Sequence, residues 1–377
     1  MENKRKAFSF AAIDPYVQQN IILPTEKLQP GKDMVEWGDR NIYPEYINDL
    51  AMNVPSLRSI IKGTVDYIVG DDQAIQIPGL ATNQVNKRGD MIADQVRSLA
   101  TDNEKIGGFA LQVIRDKTGK PAEAYYIDMR FLRSNKENSV FYYSEKWGKT
   151  GKKDAIVYPA YMPITPERWA QLTPEERDRH ASSIYYVKNE PSQTYPAPLY
   201  CAAVKACEIE RNIADFHLNA LENDFTSSMI INFNNGIPTD EDKEEIEKEV
   251  NEKFSGHQNA GRILLSFNPD KDNATTFSAP EVKDFGQRYD ALAKYARQQV
   301  FTAFRANPNL FGIPTENLGF SQEEYESAFR LYNRTAVRPV QRLICDTYAK
   351  IFGQEVVLTI KPFSLDEGTS SGEQNVN

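Results

Sequence analysis

The chain has 377 residues, 40% of them hydrophobic, and carries a formal net charge of −9. That is enough apolar material for two or three domains, while the acidic balance argues against a protein that grips nucleic acid by bulk electrostatics. No apolar run is long enough to span a bilayer and no secretory leader is evident, so the chain is expected to be cytosolic when made; Cys201, Cys207 and Cys345 are too few and too scattered for a disulfide framework or a zinc site.

In chain order, the first half reads as α+β. Val54 to Val69 is expected to be helical, because Leu57, Ile60, Ile61, Val65 and Ile68 cluster on one face and Gly70 follows as a stop. A second helix is expected from Asp90 to Thr101. Strands are expected at Phe109 to Arg115 and Glu123 to Asp128, joined by the turn Lys117-Thr118-Gly119-Lys120. More follow at Val140 to Trp147, Ala155 to Tyr161 and Ser183 to Lys188. Pro163 to Arg179 is a polar connection with helix starts at Thr165-Pro166 and Thr173-Pro174.

A strongly patterned helix is expected just after Pro196 and Pro198. Leu199, Ala202, Ala206, Ile209, Ile213, Phe216 and Ala220 recur at spacings of three and four, a seam suited to packing along a similar helix or within one globular core. Ser228 to Phe233 then reads as a strand closed by Asn234-Asn235-Gly236. Thr239 is placed to cap a helix whose first turn holds Asp240, Glu241 and Asp242 and whose apolar line is Ile246, Val250 and Phe254, ending at Ser255-Gly256. Its acidic outer face is that of a solvated helix or of a contact surface. Arg262 to Phe267 gives a second strand, stopped by Asn268-Pro269.

The next helix, from about Val282, carries Phe285, Tyr289, Leu292, Ala296, Val300 and Ala303 on one side and Arg288, Lys294, Arg297 and Arg305 on the others. Such cations either solubilise the helix or meet phosphates. Asn307-Pro308-Asn309 ends it, and Leu310 to Phe320 is a loop of turn-formers with its own apolar residues, a composition typical of functional loops. The last helix opens with Ser321 and Glu324 at capping-box spacing and runs to Gly353, with Pro339 expected to kink or split it. A strand from Glu355 to Lys361 and a polar tail, Asp366 to Asn377, expected to be disordered, complete the chain.

Signals for catalysis are poor. Gly148-Lys149-Thr150 resembles the end of a phosphate loop, but Tyr143 stands where its first glycine belongs. His180, His217 and His257 are far apart with no nucleophile spacing around them, and Asp71-Asp72 is one acidic pair without a second cluster.

Four segments resemble the portal proteins of tailed double-stranded DNA phages, in the HK97-like branch that includes gene transfer agents. They are Tyr195-Pro196-Ala197-Pro198, Asn234-Asn235-Gly236-Ile237-Pro238, Phe254-Ser255-Gly256-His257-Gln258-Asn259-Ala260-Gly261 and Ala306-Asn307-Pro308-Asn309-Leu310-Phe311-Gly312. The first stands where the family has a Tyr-Gly-x-Ser-Pro-like peptide, and Phe304 to Gly312 is similar to a family segment with one proline replaced by asparagine. Trp37-Gly38-Asp39-Arg40-Asn41-Ile42-Tyr43-Pro44 is also similar to portals of this type.

The resemblance implies a portal fold: an α/β wing over residues 1–194, a stem helix over 195–226, a small α/β clip over 227–281 and a second stem helix over 282–306. A tunnel loop over 307–320, a long kinked wing and crown helix with a terminal strand over 321–365, and a small crown follow. It implies a ring, expected to be dodecameric, at one capsid vertex, present in the virion and in host cytoplasm during assembly. The partners implied are double-stranded DNA, the large terminase, the major capsid protein, a head-tail adaptor and, further, a scaffold protein. No cofactor, metal, membrane or catalytic residue is implied. Asn307, Asn309, Leu310, Phe311, Ile313, Glu316, Asn317 and Phe320 would form the loop facing DNA, Arg288, Lys294, Arg297 and Arg305 would be the stem cations, and Asp240, Glu241, Glu244, Glu245 and Lys248 would meet the adaptor. An acidic balance suits a conduit that must not hold its DNA. The rival expectations are another head-tail adaptor or virion assembly protein and, third, a nucleic-acid-processing enzyme.

Overall fold

The computed structural model describes residues 26–28, 33–147, 155–222, 230–233, 238–239, 241–246, 264–267, 285–312 and 321–365. Two compact units emerge, one made of residues 1–204 and 300–377 and the other, inserted between them in sequence, of residues 205–299. The first unit opens with β1 (Glu26–Leu28), β2 (Val35–Trp37), α1 (Tyr43–Asn53), α2 (Pro55–Val69), β3 (Asp72–Ala74), α3 (Ile92–Ile106), β4 (Gly108–Arg115) and β5 (Pro121–Ile127). It continues with β6 (Leu132–Ser134), β7 (Val140–Tyr143), β8 (Ile156–Pro159), α4 (Pro166–Gln171), α5 (Pro174–Ala181) and β9 (Ser182–Lys188). Then come α6 (Val204–Glu222), β10 (Ile230–Phe233), a helical segment α7 (241–246), β11 (Leu264–Phe267) and α8 (Phe285–Phe304). The chain ends in α9 (Gln322–Tyr332), α10 (Arg338–Phe352) and β12 (Thr359–Lys361).

The core of the first unit forms where α2 and α3 pack on each other and α3 lies against the sheet β5-β4-β9. Leu57, Ile60, Ile61, Val65 and Ile68 of α2 are all buried, as their spacing predicts. α3 runs five residues past the expected Thr101 and stops only at Gly107, in the left-handed conformation at φ 93°; the Thr101 hydroxyl is absorbed by the Arg97 carbonyl (2.7 Å) without ending the helix. α1 was not foreseen; Pro44 sits in its first turn, where a missing N–H costs nothing, and Tyr43, Ile47 and Leu50 are buried beneath it. A second sheet, ordered β1-β2-β6-β7-β8 and antiparallel throughout, is shorter-stranded than expected. Its β7 ends at Tyr143 and not at Trp147, whose indole N–H turns back to the Phe131 carbonyl (2.8 Å). Thr165 and Thr173 cap α4 and α5 as expected, Thr173 in a full capping box with Glu176.

The long C-terminal helix starts at the predicted capping box, the Ser321 hydroxyl accepting from the Glu324 N–H (3.2 Å) and Glu324 reaching back to the Ser321 N–H (3.0 Å). It is divided into α9 and α10 by a single π turn over Asn333–Val337, immediately before Pro339. Proline brings no N–H to the ladder and its ring crowds the carbonyl four residues back, and a widened turn relieves both. Proline in a regular helix interior costs about 3 kcal/mol. With the π turn already accommodating it, Pro339→Ala is expected to change stability by less than about 1 kcal/mol in denaturant melts.

In the second unit, β10 and β11 pair in parallel from Ile230 opposite Leu264 to Phe233 opposite Phe267. Parallel neighbours need a crossover, and α7 lies within it. Thr239 caps α7 as expected, accepting from the Asp242 N–H (3.3 Å) while its hydroxyl donates to the Asp242 carboxylate (2.6 Å). α6 starts at Val204, not at Leu199. The reason is Tyr200, whose fully buried ring and hydroxyl bond to the Lys105 carbonyl (3.0 Å) hold residues 198–203 in a turn and one stretch of 3-10 helix. Along the expected seam Ala206 and Ile213 are buried and Ile209 is half-buried, whereas Leu199 and Phe216 remain 51% and 42% exposed. α6 and α8 meet where Phe216 stacks on Tyr289, ring centroids 4.7 Å apart. His217, on the neighbouring position, is edge-on to the same tyrosine at 5.7 Å.

Candidate functional site

The loop after α8 is held at its start by a built anchor. α8 ends in a Schellman arrangement, with the Ala306 N–H on the Phe301 carbonyl and the Arg305 N–H on the Thr302 carbonyl (both 3.0 Å). Arg305 occupies the left-handed position (φ 52°) where glycine is usual, and its side chain is exposed. Asn307 then accepts from the Asn309 N–H (3.1 Å), and Pro308–Phe311 form one 3-10 turn closed by Gly312 at φ 72°.

Leu310 and Phe311, read from sequence as DNA-facing, point into the first unit instead. Leu310 is buried, and the Phe311 ring is packed among Tyr332 (5.5 Å), Phe301 (6.1 Å) and Tyr67 (6.2 Å). Gly63 of α2 makes room for that ring: a Cβ there would lie 2.7 Å from Phe311 Cδ1. Two hydroxyls fix the turn's backbone, Tyr67 on the Leu310 carbonyl (2.9 Å) and Ser59 on the Phe311 carbonyl (3.1 Å). Tyr67 also meets Phe329 and Phe363 (both 5.3 Å), so one α2 side chain ties the loop's start to α9 and to the chain's last described segment. Burial, with Tyr325 close by, pushes the Tyr67 hydroxyl far above its ordinary pKa, so it stays a donor. Tyr332 is tied down from its other side by Thr64 (2.6 Å). Asn307 and Asn309 are half-buried in this turn, whereas Ile313, Glu316, Asn317 and Phe320 lie outside the described residues.

Of the segments that carried the resemblance, Tyr195 to Pro198, Ala306 to Gly312 and Trp37 to Pro44 are joints, while Asn234 to Ile237 and Phe254 to Gly261 lie outside the described residues. Tyr195 stacks flat on Trp37, centroids 4.4 Å apart and planes within 4°, and its hydroxyl donates to the Val35 carbonyl. Ala197 is gripped on both backbone atoms by Asn189, which donates to its carbonyl (2.8 Å) and accepts from its N–H (3.1 Å). Gly107 is required beside it, since a Cβ would come within 2.1 Å of that carbonyl. The Trp37 to Pro44 segment wraps Arg133, which is 0% exposed. Its guanidinium donates to the Asn41 side chain and carbonyl and to the carbonyls of Arg130 (2.7 Å) and Leu132 (2.8 Å), between the rings of Trp37 (5.7 Å) and Trp147 (5.1 Å). Left-handed backbone at Arg40 and Asn41 (φ 52° and 60°) aims Asn41 at it.

The other candidate residues are spread. Lys294 and Arg297 are exposed on α8, which also carries Arg288. Glu241, Glu244 and Glu245 are exposed on α7, while Asp240 and Lys248 lie outside the described residues, as do His257 and Gly148-Lys149-Thr150. Asp71 lies 4.0 Å from Lys361. Among the described residues no three His, Cys, Asp or Glu side chains gather as a metal site would require.

An α+β unit interrupted in sequence by a helix, a pair of parallel strands and a second helix, then an anchored loop and a broken long helix, is a known architecture. The model superposes on the solved virion of a native gene transfer agent particle with a TM-score of 0.52 at 17% identity, over 87% of this chain and 86% of the other. It superposes on the neck of an empty gene transfer agent particle with a TM-score of 0.51 at 17% identity, over the same shares. A crystal structure of an HK97-family phage portal protein from Corynebacterium diphtheriae matches with a TM-score of 0.50 at 12% identity, over 85% of this chain and 97% of that one. These likenesses define the portal fold. The family model for phage portal proteins matches residues 79–369, and the chain belongs to that family. Among curated proteins, an uncharacterized protein of Rickettsia felis is 23% identical over 199 residues. That match spans 51% of this chain and 50% of its relative, about half the length of each.

Proposed function

We propose that this protein assembles as a ring at one capsid vertex, providing the channel for genome packaging and ejection and a docking platform for terminase and head-tail connector. The observation that carries this reading is the family match, which runs through the inserted unit and the anchored loop. Its role is passive: conduction, gating and docking, with no catalytic residue of its own. Residues 1–194 act as wing, α6 and α8 as stem, the β10-α7-β11 unit as clip and residues 307–320 as tunnel loop, with Lys294, Arg297 and Arg305 offering sparse cations to passing phosphates. Closed rings of this kind need two different patches per subunit that meet head to tail. Phe216 on α6 and Leu292 and Tyr295 on α8 are exposed apolar candidates for such a patch.

Native mass spectrometry and negative-stain imaging test the assembly: a ring near twelve times the chain mass with a central channel supports it, and a monomer at micromolar concentration overturns it. Because Leu310 and Phe311 pack into the first unit, the loop is tested beyond them. Replacing residues 313–319 with glycine and serine spares the anchor, and is expected to leave the ring intact while packaging or DNA retention falls. Loss of folding in that variant would show that the segment is core.

A further inference from the structure

We infer that the outer face of α9–α10 is a second nucleic-acid contact, separate from the loop: Arg330, Arg334, Arg338 and Arg342 form a row that takes the phosphate backbone of double-stranded DNA. The inference rests on the reading of this protein as a DNA conduit.

All four arginines are exposed, and among the described residues none has an ion-pair partner. Arg330 donates to the Glu326 carbonyl of its own helix (3.3 Å), a contact that leaves its charge uncompensated. Between Glu326 and Asp346 no acidic residue occurs, so a chain of net charge −9 concentrates four positive charges on one helical stretch. A spacing of four residues would carry a row around a regular α-helix, since each step overshoots a turn. Here the second arginine lies within the π turn over Asn333–Val337, which takes up one extra residue before the third. The effective spacing becomes four, three, four, which stays on one side of a helix. The row is then about 18 Å long, with a charge roughly every 6 Å, and faces about five base-pair steps of a duplex strand.

The partner's chemistry follows from what the row contains. Every cation is arginine, whose planar fork grips two phosphate oxygens at once. Of the exposed residues between the guanidinium positions, Leu331, Thr335 and Pro339, the last two are small and neutral. Leu331, 65% exposed, is the large apolar side chain of this face and sits at one end of it. An amphipathic peptide would need apolar contacts repeated at helical spacing along the row. A regularly charged, rigid polyanion needs none.

The test uses the full-length assembled protein and a short fluorescent duplex of random sequence, with binding followed by anisotropy across a salt series. Each neutralised phosphate contributes about −0.9 to the slope of log affinity against log salt. Replacing all four arginines by glutamine is expected to reduce that slope by about 3 to 4 and to weaken binding at low salt by roughly 10². Arg334→Gln or Arg342→Gln alone should reduce it by about 1. These surface changes are helix-compatible, so an unchanged melting temperature verifies folding, and native mass on the same samples verifies the ring. A ring whose DNA slope is indifferent to the four substitutions overturns the row while leaving the portal reading untouched. A wild-type protein that forms no ring overturns the portal reading itself. Loss of the ring only in the fourfold variant assigns the row to subunit contact, and equal competition by polyglutamate assigns it to an acidic protein; either outcome overturns the inference.

Discussion

Arg133→Ala is expected to destabilise the protein by about 3–5 kcal/mol, the usual loss when one partner of a buried charge network is removed. The guanidinium is fully buried, donates four hydrogen bonds and lies 3.7 Å from Glu45, whose carboxylate is partly exposed. Removing it leaves the carbonyls of Asn41, Arg130 and Leu132 short of a donor in a place where water is excluded, and the Asn41 side-chain oxygen with the Trp37 N–H (2.9 Å) in place of two donors. It also leaves a space between Trp37 and Trp147, and vacated volume adds its own cost. Arg133→Lys is expected to recover less than half of the loss, because a single ammonium cannot reach donors spread over a planar fork. Denaturant unfolding followed by tryptophan fluorescence measures both variants. A loss under about 1 kcal/mol for the alanine variant would mean that the hub is not what fixes the Trp37 to Pro44 segment.

The hub also marks what the sequence could and could not disclose. α2 was legible because one face is buried and the other is not, so that burial writes the period; β4 and β9, which do not alternate, were legible as short runs of strand-forming residues. Caps at Thr165, Thr173, Thr239 and Ser321 were legible because their partners lie three residues away. Arg133, by contrast, meets Asn41 across 92 positions, and Tyr195 meets Val35 across 160. Nothing local in Leu132-Arg133-Ser134 signals a buried charge. The anchor of the loop was hidden for the same reason: Phe311 reads as an exposed loop residue until Gly63 and Tyr67, more than two hundred positions earlier, are brought beneath it. Pro339 announced a break, but only the structure shows that the break is a widened turn. The arginine row depended on that detail, since without the extra residue its members drift around the helix.

Glu104→Gln is expected to stabilise the protein at pH 8 and to do so far less at pH 5. Glu104 is 3% exposed near the end of α3, and its one hydrogen bond to a side chain comes from Asn103 (3.0 Å), so burial pushes its pKa up to about 7 against an ordinary 4.5. A carboxyl raised in the folded state binds its proton more tightly there than in the unfolded chain. Its contribution is therefore fully present below about pH 4.5 and is lost as pH rises through about 7. Asp102, also buried, is raised in the same direction, to about 6, by burial against the pull of Lys105 at 3.5 Å. Both groups thus oppose folding on the alkaline side, and glutamine at 104 keeps the acceptor for Asn103 without the charge. The gain at pH 8 should exceed the gain at pH 5 by about 2 kcal/mol, read as a flattened dependence of melting temperature on pH. A pH-independent difference would place the effect in packing and not in ionisation.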